Sequence, residues 1–172
     1  MASEKTFEQL FRAAEQSAVH LEMRDGYMLD DPSFIAWQQD GRLVLDDEES
    51  RWWRRLVRDA VARGVEVRRA RIVSEPLSAY TRFEYDSTSD HNAAAGEQVR
   101  WLPRRQATDL ALPGNDFWLF DATILLANHF TGNGEWVDTQ TITDPVVVKH
   151  CAAAFLSVWE RAVPHEDYRP AE

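Results

Sequence analysis

The sequence predicts a single α/β domain of the α+β kind, one mixed β-sheet flanked by helices. Three observations carry this expectation. Helix and strand patterns alternate between 46 and 83. Strand patterns then follow one another from 98 to 142, with mostly turns between them. An amphipathic helix from Asp144 toward Ala162 closes the pattern. A chain of 172 residues with 44% hydrophobic content suits one domain with one sizeable core. No internal repeat or low-complexity linker divides it.

The elements read in order as follows. Thr6 to Gln16 is a helix with Phe7, Leu10, Phe11 and Ala14 on one face, and Thr6 with Gln9 forms a capping-box pattern. Ala18 to Leu29 reads as two short strands around Arg24-Asp25-Gly26, since Val19, Leu21 and Met23 alternate and Asp-Gly is a hairpin signal. Asp31-Pro32 opens a short helix carrying Phe34, Ile35 and Trp37, which Asp40-Gly41 closes. Asp46 to Arg63 is the clearest amphipathic helix. Trp52, Leu56, Ala60 and Val61 line its face with Trp53 and Val57, and Gly64 stops it.

Val65 to Val73 is a buried strand in which Arg68 and Arg69 break strict alternation. Ser74-Glu75-Pro76 starts the next helix. Gln98 to Leu102 is a strand with Val99 and Trp101 on one face. Pro103 to Leu112 is a short helix or turn. Phe117 to Phe130 holds at least one strand and reads more readily as two, broken near Asp121-Ala122, while the run Leu119 to Ala127 fits a central strand. Thr131-Gly132-Asn133-Gly134 is a tight turn before a strand from Glu135 to Ile142. Asp144-Pro145 caps the last helix, which Pro164 and a polar tail follow.

The net charge of −10 disfavours direct nucleic-acid binding, because phosphate contacts supply most nonspecific affinity. The charge is segregated. Acidic residues crowd 30–49, and Arg51, Arg54, Arg55, Arg58, Arg63, Arg68, Arg69 and Arg71 follow at once. This band reads either as a surface for an acidic partner, Arg51, Arg54, Arg55 and Arg58 being its exposed candidates, or as a solvated helix face neutralised by its neighbours. Cys151 is the sole cysteine, so neither a disulfide within the chain nor a cysteine-based metal site can form. No apolar run follows a basic start and no stretch approaches a membrane span, which makes the cytoplasm the default compartment. Of the seven Trp residues, about four or five fit core patterns.

Candidate ligand-binding residues are Tyr80, Arg82, Glu97 and Arg100, expected beside a cleft at strand ends, with Asp116, Asp121 and His129. Asp116 and Asp121 could divide acid and base roles or hold a metal, or could cap a turn and end a strand. No two histidines have metal-ligand spacing, and Cys151 sits on an apolar helix face where a thiol is inert. No serine has a nucleophile-elbow context, and Gly132-Asn133-Gly134 lacks the helix that a phosphate-cradling loop needs. These residues imply no catalytic set, no metal and no cofactor.

From about Trp53 to Trp159 the pattern resembles one half of a phospholipase D-like domain. It shares the helix ending in Arg63-Gly64-Val65-Glu66-Val67, the strands around Asp121, and the Asp144-Pro145 helix with Phe155 and Trp159. The resemblance implies a phospholipase D-like core over 46–163, with 1–45 as an N-terminal addition and 164–172 as a tail. The signature of that family is H-x-K-x4-D. With its Asp on Asp121, Gly114 falls at the His position and Asp116 at the Lys position, so the phosphohistidine chemistry does not carry over.

Ser74-Glu75-Pro76-Leu77-Ser78-Ala79-Tyr80, Gly96-Glu97-Gln98-Val99-Arg100-Trp101-Leu102 and Asp116-Phe117-Trp118-Leu119-Phe120-Asp121 resemble an actinobacterial domain family of unknown function. Its members are often encoded near helix-turn-helix regulators. This resemblance implies a non-enzymatic regulatory accessory protein that binds a protein partner, a helix-turn-helix transcription regulator, or a small ligand. The alternative is a phosphoester-acting enzyme with an altered site built on Asp116, Asp121 or His129, with or without a metal. Exposed Trp residues could also form a homodimer surface.

Overall fold

The computed structural model describes residues 4–172 and contains a seven-stranded mixed sheet with five α-helices. The chain runs α1 (Glu4–Ala13), β1 (Ser17–Glu22), α2 (Pro32–Asp40), α3 (Glu48–Ala62), β2 (Glu66–Val73), α4 (Ala79–His91) and β3 (Gln98–Pro103). It continues with β4 (Phe117–Phe120), β5 (Ile124–Phe130), β6 (Trp136–Ile142), α5 (Pro145–Arg161) and β7 (Val163–Pro164). The sheet order is β6-β5-β4-β1-β2-β3-β7. Strands β1, β2 and β3 are mutually parallel; β4, β5, β6 and β7 pair antiparallel to their neighbours.

Alternation along the strands creates two different faces. Val19, Leu21, Ala70, Ile72, Phe117, Leu119 and Leu125 point to one side. They pack there against Cys151, Phe155, Val158 and Trp159 of α5 in an apolar core. The opposite face is divided. Near the start of β1, Ala18, Val67, Phe120 and Leu126 meet Phe11 of α1 and Trp53, Leu56, Val57 and Ala60 of α3. Toward the ends of β1 and β2 the same face turns polar, and the cleft described below opens there.

Several expected elements form where local chemistry requires them. Asp31 caps α2 by accepting from Ser33 N (2.8 Å), and Gly41 ends it at φ 72°. Asp47 caps α3 through Ser50 N (2.8 Å), and Asp144 caps α5 through Val146 N (2.8 Å). Trp53, Trp101, Trp118 and Trp159 are buried, four of the seven. Val99 and Trp101 share a packed face with Tyr168.

Other expectations are corrected. Thr6 lies inside α1 rather than capping it, and the helix ends at Ala13. No second strand follows Arg24-Asp25-Gly26. Asp25 is instead spent on accepting from Ser74 N (2.7 Å) and Ser74 Oγ (2.6 Å), which ties its loop to the end of β2. That bond also holds Ser74 outside the helix, so α4 begins at Ala79 with Ser78 as its cap. The run Leu119 to Ala127 is not one central strand. Asp121 and Ala122 take positive φ (48° and 54°) and fold it into the antiparallel pair β4–β5. The middle strand is β1, which comes from the segment read as an N-terminal addition. The tail is part of the fold as well: β7 pairs with β3, and Tyr168 stacks on Trp101 with centroids 5.5 Å apart.

Candidate functional site

The polar part of the divided face is built from residues two apart on neighbouring strands. His20 and Glu22 on β1 lie opposite Arg69 and Arg71 on β2, and Trp118 on β4 lies opposite His20. Asp116 precedes β4 by one residue, so it shares the side of Trp118. Helix α4 lays Tyr80, Glu84, Ser87 and His91 along one stripe above them, at i, i+4, i+7 and i+11. The loops before α2 and α3 and the β5–β6 hairpin complete the walls. The enclosed cleft measures about 490 Å³ and sits at the carboxyl ends of β1 and β2, where ligands commonly enter sheets with parallel strands.

Its floor is an ion network. Glu22 accepts from Arg69 Nη1 (2.5 Å) and Arg71 Nε (2.7 Å), and His20 Nε2 stands 3.1 Å from its carboxylate. Arg69 Nε donates to Glu97 (2.6 Å), and Arg71 Nη1 donates to Thr88 Oγ1 (2.8 Å). Burial alone would raise the Glu22 carboxyl, but Arg71 and Arg69 overcome it and hold the group well below its ordinary value. Glu84 has the opposite balance. Burial raises it, Arg71 at 3.7 Å offsets only part, and Glu22 adds repulsion, so it is pushed up to about 8. Asp116 is also raised by burial, despite accepting from the Tyr27 hydroxyl and from Met23 N (2.9 Å). Burial holds His91 down at about 4. Among the described residues, no group of three or more His, Cys, Asp or Glu is placed to hold a metal ion.

Of the residues singled out from sequence, Tyr80 and Asp116 line this cleft. Glu97 lies beneath it as the buried partner of Arg69 and Asn92. Arg82 lies over the Tyr85 ring (5.7 Å) away from this cleft, and Arg100, which donates to Trp159 O (2.9 Å) and covers that indole (4.3 Å), lines with Glu97 the second cleft described below. His129 faces Gln140 (3.3 Å) on the hairpin. Asp121 is separated from Asp116. Its carboxylate accepts from the backbone N–H of Glu15 (3.0 Å), Gln16 (2.7 Å) and Ser17 (2.9 Å), which overcomes its partial burial and lowers its pKa. The Asp116/Asp121 pair is therefore a cleft wall and a loop clamp rather than one acid–base pair. Arg54, Arg55 and Arg58 make no ion pair among the described residues, and Arg51 pairs with Asp46 (3.5 Å).

Sequence reasoning passed over His20, Glu22 and Glu84 and assigned Arg69 and Arg71 to a surface band rather than to this cleft. The signal was the i, i+2 recurrence of charged residues inside strand patterns, which places charge on one face of a buried sheet. A second cleft lies beside β3 and the tail, where Ser89 Oγ and His165 Nε2 are 3.0 Å apart. Trp101 Nε1 donates to His165 Nδ1 (3.0 Å), so the neutral ring carries its proton on Nε2 and cannot accept one from Ser89.

The profile of the domain of unknown function DUF6879 matches residues 5–170. The chain belongs to that family. No curated protein sequence matches it. Among solved structures, the fold is similar to Nuc, a phospholipase D family member from Salmonella typhimurium. That match has a TM-score of 0.53 at 12% identity, over 98% of this chain and 92% of that one. It is also similar to the archaeal chromatin protein TrmBL2, described with a novel mode of DNA binding. There the TM-score is 0.50 at 15% identity, over 94% of this chain. This DUF6879 chain spans 50% of the length of TrmBL2. NucT from Helicobacter pylori matches with a TM-score of 0.49 at 11% identity, over 93% of this chain and 89% of that one. At these identities the likeness is one of fold. No helix among the described residues is long and apolar enough to cross a membrane.

Proposed function

We propose that this DUF6879 chain is a non-enzymatic regulatory protein that binds a small ligand in the cleft and signals its occupancy to a protein partner. The observation that carries this reading is the engagement of the groups that phosphoester chemistry would need. Arg69 and Arg71 are held by Glu22, Glu97 and Thr88. His20 Nδ1 donates to Phe117 O (2.8 Å) and Nε2 stands 3.1 Å from the Glu22 carboxylate. Asp116 occupies the position where the phospholipase D signature has Lys. A cleft of about 490 Å³ with aromatic walls and a rigid ionic floor is suited to holding a molecule.

The partner in this reading is a helix-turn-helix regulator, on the strength of the family resemblance, in an actinobacterial cytoplasm. Arg54, Arg55 and Arg58 on α3, which make no ion pair among the described residues, supply a basic docking face.

The test pairs two assays on the whole chain. Bis(p-nitrophenyl) phosphate, offered with Mg²⁺ or Mn²⁺, should be hydrolysed no faster than in buffer. A small-molecule panel, followed by quenching of the cleft Trp53 and Trp118, should yield a binder that the Tyr80→Ala variant loses. Phosphodiester turnover abolished by Asp116→Asn would overturn the proposal and establish the enzyme reading.

A further inference from the structure

The charges of the cleft do not cancel, and the imbalance has a place. On the floor two guanidiniums, Arg69 and Arg71, are matched by two carboxylates, Glu22 and Glu97, through hydrogen bonds of 2.5–2.7 Å. That leaves Glu84 and Asp116 in surplus. The Glu84 side chain is only 11% exposed, and its carboxyl makes no hydrogen bond among the described residues. Its nearest cation is Arg71 Nη2 at 3.7 Å. Asp116 is 3% exposed and accepts two hydrogen bonds, both from neutral donors. A carboxylate accepts about four, so lone pairs remain on both groups.

The aromatic residues are unevenly occupied too. Arg69 already lies over Trp53 (5.6 Å) and Trp118 (5.5 Å), and Arg24 lies over Phe130 (5.2 Å). Tyr27, Tyr80 and Phe83 form a contiguous group, with centroids 5.9 Å and 6.0 Å apart along it, and no cation among the described residues covers any of the three. They stand with the surplus carboxyls: Tyr27 donates to Asp116, while Tyr80 and Phe83 share the α4 stripe with Glu84. An aromatic group beside uncompensated carboxyls is the arrangement that attracts a positive head group, through ring quadrupoles and charge-assisted hydrogen bonds together. An anion would have to displace the bonds that already hold Arg69 and Arg71.

Resting on the ligand-binding reading above, we infer that the cleft is a receptor for an organic cation: a protonated amine on an apolar body, with the ammonium between Glu84 and Asp116 and the body against Tyr27, Tyr80 and Phe83. N–H donors are what the open lone pairs select, so a primary amine fits better than a quaternary one. The strain on the surplus carboxyls agrees. Burial, with repulsion from Glu22 added, pushes both toward the protonated form, and a bound cation relieves this.

The test uses three probes with one body and different heads: phenethylamine, phenethyl alcohol and 3-phenylpropionate. They are titrated into the full chain by calorimetry or Trp quenching. Phenethylammonium should bind at least about tenfold more tightly than either of the others, the scale of one charge-assisted contact in a partly buried site. Glu84→Gln should cut its affinity by about tenfold and leave the alcohol unaffected. That variant loses no hydrogen bond on folding, so it reports on charge alone; Asp116→Asn serves as the second probe, with its fold checked by circular dichroism. Ammonium binding no tighter than the alcohol, including no binding by either, overturns the cation assignment. Preferential binding of the carboxylate overturns it while leaving a ligand-binding protein. Only phosphodiester turnover removes the receptor reading itself.

Discussion

Replacing Glu84 by Gln isolates the cost of a buried carboxyl with no hydrogen-bond partner. Its pKa is about 8 in the folded chain against an ordinary 4.5. The folded protein therefore holds this proton more tightly than the unfolded chain does. The resulting stability is fully present below pH 4.5 and is lost as pH rises to 8. His91 acts in the opposite sense. Held at about 4 against 6.5, it contributes stability above pH 6.5 that is lost as pH falls toward 4. Below pH 6.5 the two slopes oppose each other, so the window that reports Glu84 runs from pH 6.5 to 8. At roughly 1.36 kcal/mol per pH unit, Glu84 should cost the wild type about 2 kcal/mol across that window. Gln has nearly the same volume and no charge, so the variant should lose little. Urea unfolding at closely spaced pH values measures this, with the wild-type curve falling toward the variant or below it. Parallel profiles for the two proteins would refute the reasoning, because they would mean that Glu84 does not titrate in this window.

Other perturbations test the frame around the cleft. Asp121→Asn keeps a residue that tolerates the positive φ of 48° but removes the charge that three backbone N–H groups share. It should cost about 1.5–3 kcal/mol in denaturant unfolding. Ala122→Gly relieves a φ of 54° and should raise stability by about 1 kcal/mol in the same assay. Arg71→Met takes one of its two arginines from the buried Glu22, leaving Arg69 in place, and should cost about 1.5–3 kcal/mol in the same assay. Charge reversal at Arg54, Arg55 and Arg58 should change stability by no more than about 0.5 kcal/mol each, so a loss of partner binding in a pull-down would not reflect unfolding.

Much of the frame was legible because it is local. Asp31 and Asp144 each precede Pro at the start of a helix, and such a cap acts within one helical turn. The face of α3 and the strands around Val67 and Val99 follow from periodicity. The readings that failed depended on distant partners. Asp25 looks like a hairpin turn until Ser74, 49 residues away, takes its carboxylate. Asp121 looks like a companion for Asp116 until the backbone of 15–17 takes it.

Composition, period and spacing are properties of the chain, and they were enough for the class of fold, the order of its helices and the absence of an H-x-K pair. Which charges meet depends on how the elements pack. Glu22, Arg69, Arg71, Glu84 and Asp116 span nearly a hundred positions, and the parallel register of β1 on β2 brings His20 and Glu22 against the two arginines. Whether a carboxyl becomes a clamp, an ion-pair partner or an uncompensated group in a cleft depends on its dielectric surroundings and its neighbours. Both are set by packing and not by the residue's place in the chain.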